Sequence, residues 1–315
     1  MLQIAFIMDV MGKILLKWDT SISIMIEAQN RGHRVFYIES DDLFVEDNSV
    51  YAKVREVTVS RKSGFNILGT QVIDFKTCDI IFNRKEPPFD VSYLYMTQIL
   101  ELLEPDVFII NSPAGVRKAN EKLYILEFKK WIPPTFVSNN PERIEEFQRK
   151  LKSDLILKPL DQKGGAGIKL LPFKSRKAKT ILKRATQSGI KWIMAQKFLK
   201  ENLRSGDKRI LILNGKVIWQ FRRIPKRGEF RSNLSLGGKH IRATLTGAEV
   251  KLVSALRPKL LRDGLYFVGI DVVDGKLIEI NVTSPAGTTE INELEGRRPE
   301  VQIVDFLEEM TSRRK

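Results

Sequence analysis

The sequence predicts an α/β protein in which an open α/β domain comes first and an α+β part follows. Near the N-terminus, apolar segments at Gln3–Met8 and Val35–Ile38 flank a helical pattern over 19–31. This β-α-β alternation is typical of an open sheet. The second half instead has strand patterns joined by Asn214-Gly215 and Asp274-Gly275, which are turn signals of antiparallel hairpins.

Composition sets broad limits on the class of protein. The chain has 315 residues, of which 43% are hydrophobic and 29% charged, so it is long enough for two or three packed units. No apolar run reaches the roughly 18 to 20 residues of a membrane span. The first segment ends at Asp9 and lacks a basic region before it, so we expect a strand there, and neither a signal peptide nor a membrane partner.

The net charge of +15 has two interpretations. It either solubilises the surface or attracts anionic substrates such as nucleotides and carboxylates. Nucleic-acid binding is a remote alternative, because the Lys and Arg residues are spread along the chain without a basic tail or a nucleic-acid module. We therefore expect no nucleic-acid partner.

Few residues could support cysteine or histidine chemistry. Cys78 is the single cysteine, which excludes an intramolecular disulfide and predicts a reducing, cytoplasmic location. We expect it to be a small buried side chain at the start of a strand. His33 and His240 are the two histidines, so a histidine-rich zinc site and a Ser-His-Asp triad are poorly supported.

Local signals place the elements of the first 120 residues. Asp19 caps the first helix and Gly32 ends it. Further patterns predict a strand or hairpin over 51–59, strands over 79–82 and 107–110, a helix over 91–103 and a helix start at Ser112-Pro113. The polar loop 83–90 follows a buried strand, and open α/β sheets bind ligands at that end of a strand.

The central part carries a glycine-rich segment between two predicted strands. A second helix is expected to begin near Asn120, and Asn140-Pro141 begins another that runs to about Lys152. A strand over 154–159 with Lys158 near its end precedes Asp161–Ile168, which we name the glycine turn. Glycine N–H groups can surround an anion. The segment is therefore either a mobile hairpin turn or a flap over phosphates.

The last third contains a long loop among strands and helices. A basic helix over 175–188 and a strand over 192–198 lead to the hairpin through Asn214-Gly215. The loop 224–240 holds Arg227, Arg231 and Asn233, and its length predicts either disorder or a lid. Helices are predicted over 246–262 and 299–313.

Oxygen-bearing side chains interrupt the C-terminal hairpin. Glu279 and Asn281 lie two apart on one strand and so share a face, while Asp271 lies on the strand before the turn. A solvent-facing hairpin and a Mg²⁺ site both fit this pattern. A two-residue turn at Asp274-Gly275 would put Asp271 on the other face, so the metal interpretation predicts an extra residue at the turn.

These features together suit one chemistry. A glycine turn with Lys158 behind it, an arginine-bearing loop and an oxygen-ligand set on a late strand fit a Mg-nucleotide held between two sheets. A carboxylate would then be activated by phosphoryl transfer.

The sequence resembles the bacterial glutathione synthetase family. The resemblance rests on motifs in a fixed order: Ile7-Met8-Asp9, Arg84–Asp90, Asn120-Glu121-Lys122, Leu157–Asp161 with Gly164-Gly165, Met194-Ala195-Gln196, Gly206–Arg209, Arg231–Leu234 with Gly237-Gly238, and Glu279–Pro285. It covers about residues 1 to 295.

The resemblance implies an ATP-grasp ligase that condenses γ-glutamylcysteine with glycine through an acyl phosphate. It implies a substrate domain at 1–120, a central ATP-grasp part at 121–200 and a C-terminal part at 201–315. The implied ATP contacts are Lys122, Lys158, Gly164, Gly165, Gly167, Gln196, Lys197 and Phe198. Asp271, Glu279 and Asn281 would hold Mg²⁺, or Mn²⁺ in its place.

The remaining implications concern catalysis, substrates and assembly. Arg209 and Arg231 are the implied catalytic residues, and Arg84, Arg223, Asn233 and Ser284 the implied substrate contacts. The loop 224–240 would close over the acyl phosphate, and a homotetramer is implied. Gln162 and Thr289 replace a glycine and a basic residue of the family pattern, and the second change leaves open another amino-acid or peptide acceptor.

Overall fold

The computed structural model describes residues 1–232 and 237–314. Its first strands form the N-terminal sheet, in the order β3-β4-β2-β1-β6-β7, with β5 also paired to β4. The strands are β1 (Gln3–Met8), β2 (Arg34–Glu39), β3 (Leu43–Glu46), β4 (Ser49–Ser60), β5 (Gly64–Asp74), β6 (Ile80–Asn83) and β7 (Phe108–Ile110). Strands β2, β1, β6 and β7 are parallel, whereas β3, β4 and β5 pair antiparallel. The sheet is therefore open, as the β-α-β pattern predicted, and the antiparallel pairing of β3, β4 and β5 makes it mixed.

Helix α1 (Thr20–Asn30) connects β1 to β2 and α2 (Val91–Glu101) connects β6 to β7, while α3 (Pro113–Lys118) follows β7. Asp19 caps α1, because its Oδ1 accepts from the backbone N–H of Ser21 at 2.6 Å. Cys78 is buried as expected, and burial raises the pKa of its thiol to about 12, so it is not a thiolate nucleophile at neutral pH.

The central sheet has the antiparallel order β10-β9-β11-β8. Its elements are β8 (Thr135–Ser138), α4 (Pro141–Leu151), β9 (Leu155–Pro159), β10 (Lys169–Leu171), α5 (Ala178–Thr186) and β11 (Ile193–Lys197), followed by α6 (Glu201–Ser205). The glycine turn joins β9 to β10. The helix expected from Asn120 is instead a 3₁₀ segment, Leu123–Trp131, which is interrupted by non-helical backbone at Phe128.

The C-terminal sheet is also antiparallel, in the order β14-β13-β12-β15-β16. Its elements are β12 (Asp207–Leu213), β13 (Lys216–Ile224), β14 (Lys239–Arg242), α7 (Gly247–Arg262), β15 (Phe267–Val273), β16 (Lys276–Asn281), α8 (Thr288–Glu295) and α9 (Pro299–Ser312). The fold class is thus α/β, with a mixed N-terminal sheet followed by two antiparallel sheets. No described helix is long and apolar enough to cross a membrane.

The hairpin at Asp274-Gly275 corrects the predicted register. Its turn has two residues, because Val273 pairs with Lys276, and both turn residues have positive φ, as a type I′ turn requires. The extra residue lies in the strand: Val272 pairs with Leu277 and Asp271 with Glu279, which leaves a bulge at Ile278. The bulge returns Asp271 to the face of Glu279.

A buried amide links the N-terminal sheet to the C-terminal sheet. Asn111 follows β7, and its Nδ2 donates to the carbonyls of Phe267 and Val282 at 2.7 Å each. Its Oδ1 accepts from the N–H of Phe267 at 2.8 Å. These bonds hold the start of β15 and the residue after β16. They therefore fix the position from which the chain continues into Thr283 and Ser284.

Candidate active site

A cavity of about 370 Å³ lies between the central and C-terminal sheets. The central sheet contributes Lys158 and Gln196 to its wall, and the C-terminal sheet contributes Arg209, Asp271 and Glu279. The cavity is lined by strands that are distant in sequence. Its position therefore depends on how the two sheets pack against each other.

Lys158 is buried on the central-sheet side. Its Nζ donates to Oε1 of Gln196 and to the carbonyl of Ile278, each at 3.0 Å. Gln196 in turn donates to Oγ1 of Thr135 at 3.0 Å. Burial is the main cause that lowers the pKa of Lys158 to about 8; Glu279 opposes this shift and nearby Lys122 adds to it. The lysine therefore has neutral hydrogen-bond acceptors and no direct carboxylate partner among the described residues.

The glycine turn forms one edge of the cavity. Gly164 and Gly165 line it with positive φ values, a conformation that glycine adopts at little cost. Gly167 also has positive φ but packs under Pro159, whose Cγ would lie 2.9 Å from an added Cβ. Gly167 therefore allows the glycine turn to pack against Pro159 and does not line the cavity.

Lys122 connects the glycine turn to β16. Its buried Nζ donates to the carbonyl of Gln162 at 2.6 Å and lies 3.1 Å from Oε1 of Glu279. Beside it, Glu121 accepts from Oγ1 of Thr283 at 2.8 Å. Burial and the neighbouring Glu279 raise the pKa of Glu121.

One face of the C-terminal sheet carries a closed network of buried charges. Asp207 on β12 lies opposite Arg223 on β13, and Arg209 on β12 lies opposite Asp271 on β15. Arg223 binds Asp207 at 2.7 and 2.9 Å and lies 2.9 Å from Oδ2 of Asp271. Arg209 donates to Asp271 at 2.6 and 3.2 Å.

The pKa directions follow from this network. Burial acts to raise the pKa of Asp271, but Arg209 and Arg223 outweigh it and hold the pKa well below its usual range. Burial raises the pKa of Asp207, and the neighbouring Asp271 adds to this shift. The one close arginine, Arg223, acts in the opposite direction but does not offset it. The bidentate contacts make this face rigid.

The oxygen ligands expected to hold a metal share the cavity-facing side of β15 and β16. Asp271 and Glu279 are directly paired, and Asn281 lies two residues further along β16. The amide nitrogen of Asn281 donates to the carbonyl of Gly269 at 3.1 Å, which leaves its Oδ1 for another partner. Within residues 1–232 and 237–314, no cluster of three or more Asp, Glu, His or Cys side chains could hold a metal.

The loop 224–240 meets the glycine turn. Its first residue lies in β13 and its last two in β14, while Phe230, Arg231 and Ser232 line the cavity. Nη1 of Arg231 donates to the carbonyl of Gly165 at 3.2 Å, and Glu229 binds the same guanidinium at 2.7 Å. The hydrogen bonds from Arg231 lower the pKa of Glu229 to about 2.

Two family models match successive parts of the chain. The N-terminal domain of prokaryotic glutathione synthetase matches residues 2–117, and the ATP-grasp domain of the same enzyme matches residues 121–296. The chain belongs to the prokaryotic glutathione synthetase family. It is therefore an ATP-grasp ligase of that family.

Full-length relatives agree with this assignment. A glutathione synthetase of Synechocystis sp. is 40% identical over 319 residues, covering 98% of this chain and 99% of the relative. One from Nitrosomonas europaea is 37% identical over 320 residues, with 99% of each covered. Coverage of both chains shows that the similarity is not limited to one domain.

Solved structures of other ligases share the fold. The D-cycloserine synthetase DcsG superposes with a TM-score of 0.69 at 13% identity, over 99% of this chain and 100% of that chain. The ATP-grasp ligase PsnB, complexed with minimal precursor, Mg and ADP, gives a TM-score of 0.64 at 16% identity, with 98% of each chain covered. At these identities the comparison shows the fold and no more.

The structure brings most of the site residues implied by the glutathione synthetase family to one cavity. Those lining it are Lys158, Gly164, Gly165, Gln196, Lys197, Phe198, Arg209, Arg223, Arg231, Asp271, Glu279, Asn281 and Ser284. Lys122 and Gly167 lie behind the lining. Asn233 lies outside the described residues.

Arg84 is set back from the cavity. Its buried side chain donates to Oγ of Ser21 at 2.9 Å and to the carbonyl of Pro285 at 3.0 Å. Burial lowers its pKa, and Nη1 has no hydrogen-bond partner within the described part of the chain. Arg84 therefore holds the segment after β16 by a hydrogen bond to Pro285 and does not itself line the cavity.

The polar cavity residues that were not predicted as site residues include Glu121, Asn202, Asp207 and Glu290. A signal existed for Asp207, which is two residues before Arg209 and therefore on the same face of β12. Asn202 holds the loop 224–240 by donating to the carbonyl of Phe230 at 2.6 Å. Glu290 reaches the cavity from α8, a helix that the sequence pattern did not reveal.

Proposed function

We propose that this ligase joins γ-glutamylcysteine to glycine, forming glutathione with release of ADP and phosphate. The proposal rests on full-length relatives that are glutathione synthetases and on a cavity that combines cations, a glycine turn and oxygen ligands. A carboxylate oxygen of cysteine attacks the γ-phosphorus of ATP and ADP leaves. The amine of glycine then attacks the acyl carbon, loses a proton and displaces phosphate.

ATP binds between the two sheets in this proposal. Lys158 and Lys122 contact its phosphates, Gly164 and Gly165 cover them with backbone N–H groups, and Gln196–Phe198 border the adenine. The neutral surroundings of Lys158 support this role, because its positive charge is not cancelled by a direct carboxylate contact and is available to a polyphosphate.

The oxygen donors on β15 and β16 fit a hard divalent cation. Asp271 and Glu279 face each other across the strands, and Asn281 presents Oδ1 on the same side, a set that suits Mg²⁺ or Mn²⁺. When bound, the cation neutralises charge on the transferring phosphate. Asp271 is held by two arginines and Glu279 by Lys122, so their side chains are already positioned on that face.

The substrates occupy the end of the cavity near Arg209, Arg223 and Ser284. The guanidinium groups of Arg209 and Arg223 stabilise the negative charge that develops on the acyl phosphate and the charge of the substrate carboxylate. Asn233 is a further proposed contact, and Arg84 acts by holding Pro285. Arg231 joins the glycine turn to the loop 224–240, and the loop excludes water when it closes.

Product analysis tests the function directly. Purified protein with ATP, Mg²⁺, γ-glutamylcysteine and glycine is expected to form glutathione and ADP in equal amounts. Omitting glycine should stop sustained turnover, and chelating the metal with EDTA should abolish it until Mg²⁺ or Mn²⁺ is restored. Sustained ADP formation with another amine acceptor but not with glycine would replace this proposal by a ligase of different acceptor specificity.

Three further features belong to this proposal. The functional divisions are residues 1–120, 121–200 and 201–315. A homotetramer follows from the family resemblance, and a cytoplasmic location follows from the single cysteine. Sedimentation at several protein concentrations tests the assembly.

A further inference from the structure

Glu290 is a buried carboxylate without a hydrogen-bond partner for one of its oxygens. It lies in the first turn of α8, lines the cavity and is 7% exposed. Its Oε2 is buried and forms no hydrogen bond to any described residue. Burial raises the pKa of its carboxyl.

The other carboxylates of the cavity wall have partners. Each of five forms an ion pair or hydrogen bond: Glu86 with Lys163 at 2.7 Å, Glu121 with Thr283 at 2.8 Å, Asp207 with Arg223 at 2.7 Å, Asp271 with Arg209 at 2.6 Å and Glu279 with Lys122 at 3.1 Å. Among the described carboxylates of the cavity wall, Glu290 therefore differs in having a buried oxygen that lacks a hydrogen-bond partner.

The position of Glu290 in its helix does not explain this arrangement. The helix dipole stabilises a carboxylate in the first turn only weakly. Leaving a buried charge unpaired destabilises the fold by much more than that. The nearby Arg209 and Arg223 both hold Asp271. A cationic ligand group would supply the missing partner.

The segment that carries Glu290 is held rigidly. Nη1 of Arg209 donates to the carbonyl of Ala286 at 2.9 Å, and Arg84 donates to that of Pro285 at 3.0 Å. The N–H of Gly287 donates to Oγ1 of Thr20 at 3.1 Å. These bonds attach the segment that leads into α8 to three other places in the chain, so the carboxylate is preorganised.

We propose that Glu290 binds the ammonium group of an amino-acid substrate at the end of the cavity near Arg209. The proposal rests on the proposed function, which supplies two such groups: the α-ammonium of the γ-glutamyl residue and the amino group of glycine. An ammonium donates up to three hydrogen bonds and complements a carboxylate in charge. Glu290 is therefore a specificity-determining residue.

Glu290→Gln keeps the shape of the side chain and removes its charge. We expect the Kd of one amino-acid substrate to rise about 10- to 100-fold, the range for a hydrogen bond to a charged group. The Kd of ATP and the thermal midpoint should stay near those of the wild type. Glu290→Asp should recover part of the lost affinity.

Titration calorimetry of γ-glutamylcysteine and glycine, each with the enzyme and a nonhydrolysable ATP analogue, measures these constants without turnover. It therefore tests Glu290 separately from the reaction proposed above. Glu295→Gln is the matched control, because Glu295 lies at the other end of α8 and outside the cavity wall. Its affinities should equal those of the wild type.

The two ammonium sources give different results. If Glu290 binds the γ-glutamyl group, the wild type should bind γ-glutamylcysteine better than glutarylcysteine, which lacks the α-amine, and Glu290→Gln should lose that preference. If it binds glycine, the preference should persist and glycine affinity should fall. Unchanged affinity for both substrates, or equal losses for both substrates and ATP with a lower thermal midpoint, would overturn the proposal.

Discussion

The two sides of the cavity bury positive charge in different ways. On the central sheet, Lys158 donates to an amide oxygen and a carbonyl, and burial lowers its pKa to about 8. On the C-terminal sheet, Arg223 is equally buried, yet Asp207 and Asp271 overcome burial and raise its pKa. The sign of the pKa shift is set by the partners, because burial opposes charge on both sides.

This difference separates two tasks. The positive charges of Arg209 and Arg223 are balanced by the negative charges of Asp207 and Asp271. That face is therefore nearly neutral and rigid, and it positions the N–H groups of the arginines that are not used in these ion pairs. Lys158 lacks such balance and keeps its charge for a ligand. Substitutions on the C-terminal face should therefore damage folding and activity together, whereas substitution of Lys158 should affect mainly nucleotide binding.

The largest expected effect is that of Asp271→Asn. It leaves Arg209 and Arg223 with one charged partner fewer, and breaking a buried ion pair costs about 3 to 5 kcal/mol of unfolding free energy. Turnover should be nearly lost. Urea unfolding and ADP release measure the two effects, and the control Asp106→Asn, which removes an exposed pair with Lys76, should leave the urea midpoint unchanged. A stable, active Asp271→Asn enzyme would contradict the rigid-frame interpretation.

Lys158→Met should raise the Kd of ATP about 10- to 100-fold, the range for a hydrogen bond to a charged group. Its effect on stability should be smaller than that of Asp271→Asn, because loss of the hydrogen bonds that Lys158 donates to Gln196 and Ile278 is offset by removal of a buried charge. Calorimetry with ATP and urea unfolding test this contrast. The exposed Lys179→Met is the control, and equal ATP affinities in all three proteins would refute the assigned role.

Arg231→Ala probes the contact between the two sides. It removes the hydrogen bond to Gly165, so we expect kcat to fall about 10- to 100-fold, while ATP affinity changes by about threefold or less. The exposed Arg227→Ala in the same loop should behave like the wild type. Single-turnover measurements of acyl phosphate and product formation test this expectation. An unchanged rate in Arg231→Ala would exclude a catalytic role for Arg231.

The lowered pKa of Lys158 predicts proton uptake on ATP binding. The free enzyme loses this proton near pH 8, and bound phosphates raise the pKa of Lys158 above that value. Between the two pKa values the complex holds more protons, so ATP affinity should fall as pH rises through this range. Calorimetry at about pH 8.5 in buffers of different ionisation enthalpy measures the uptake. Equal uptake by the wild type and Lys158→Met would assign it to another group.

The smallest effect is expected at the β15–β16 turn. Gly275→Ala places a side chain at a φ of 67°, which costs roughly 1 kcal/mol. Activity should be unchanged, because the bulge at Ile278, and not the turn, aligns Asp271 with Glu279. Gly247→Ala, at a helical position with open space around it, is the control for stability. A large loss of activity in Gly275→Ala would place the alignment at the turn.

Local sequence signals correctly predicted many elements. Asn140 caps α4 and Thr246 caps α7 through bonds to their own first turns, and Asn214-Gly215 joins β12 to β13. These features depend on neighbouring residues, so they can be read from a short stretch of sequence. The motif order then identified the family, and thirteen of the site residues that the family implies line the cavity.

Contacts between distant residues decided the rest. The bulge at Ile278 changes the register two pairs from the turn, in a segment whose residues carry no bulge signal. The pairing of Arg223 with both Asp207 and Asp271 requires three strands to meet. The sequence by itself determined the caps, the turns and the family, because these depend on local order. Tertiary structure determined which buried charges are neutralised and that Glu290 keeps an oxygen without a partner, because pairing depends on which strands and helices lie together.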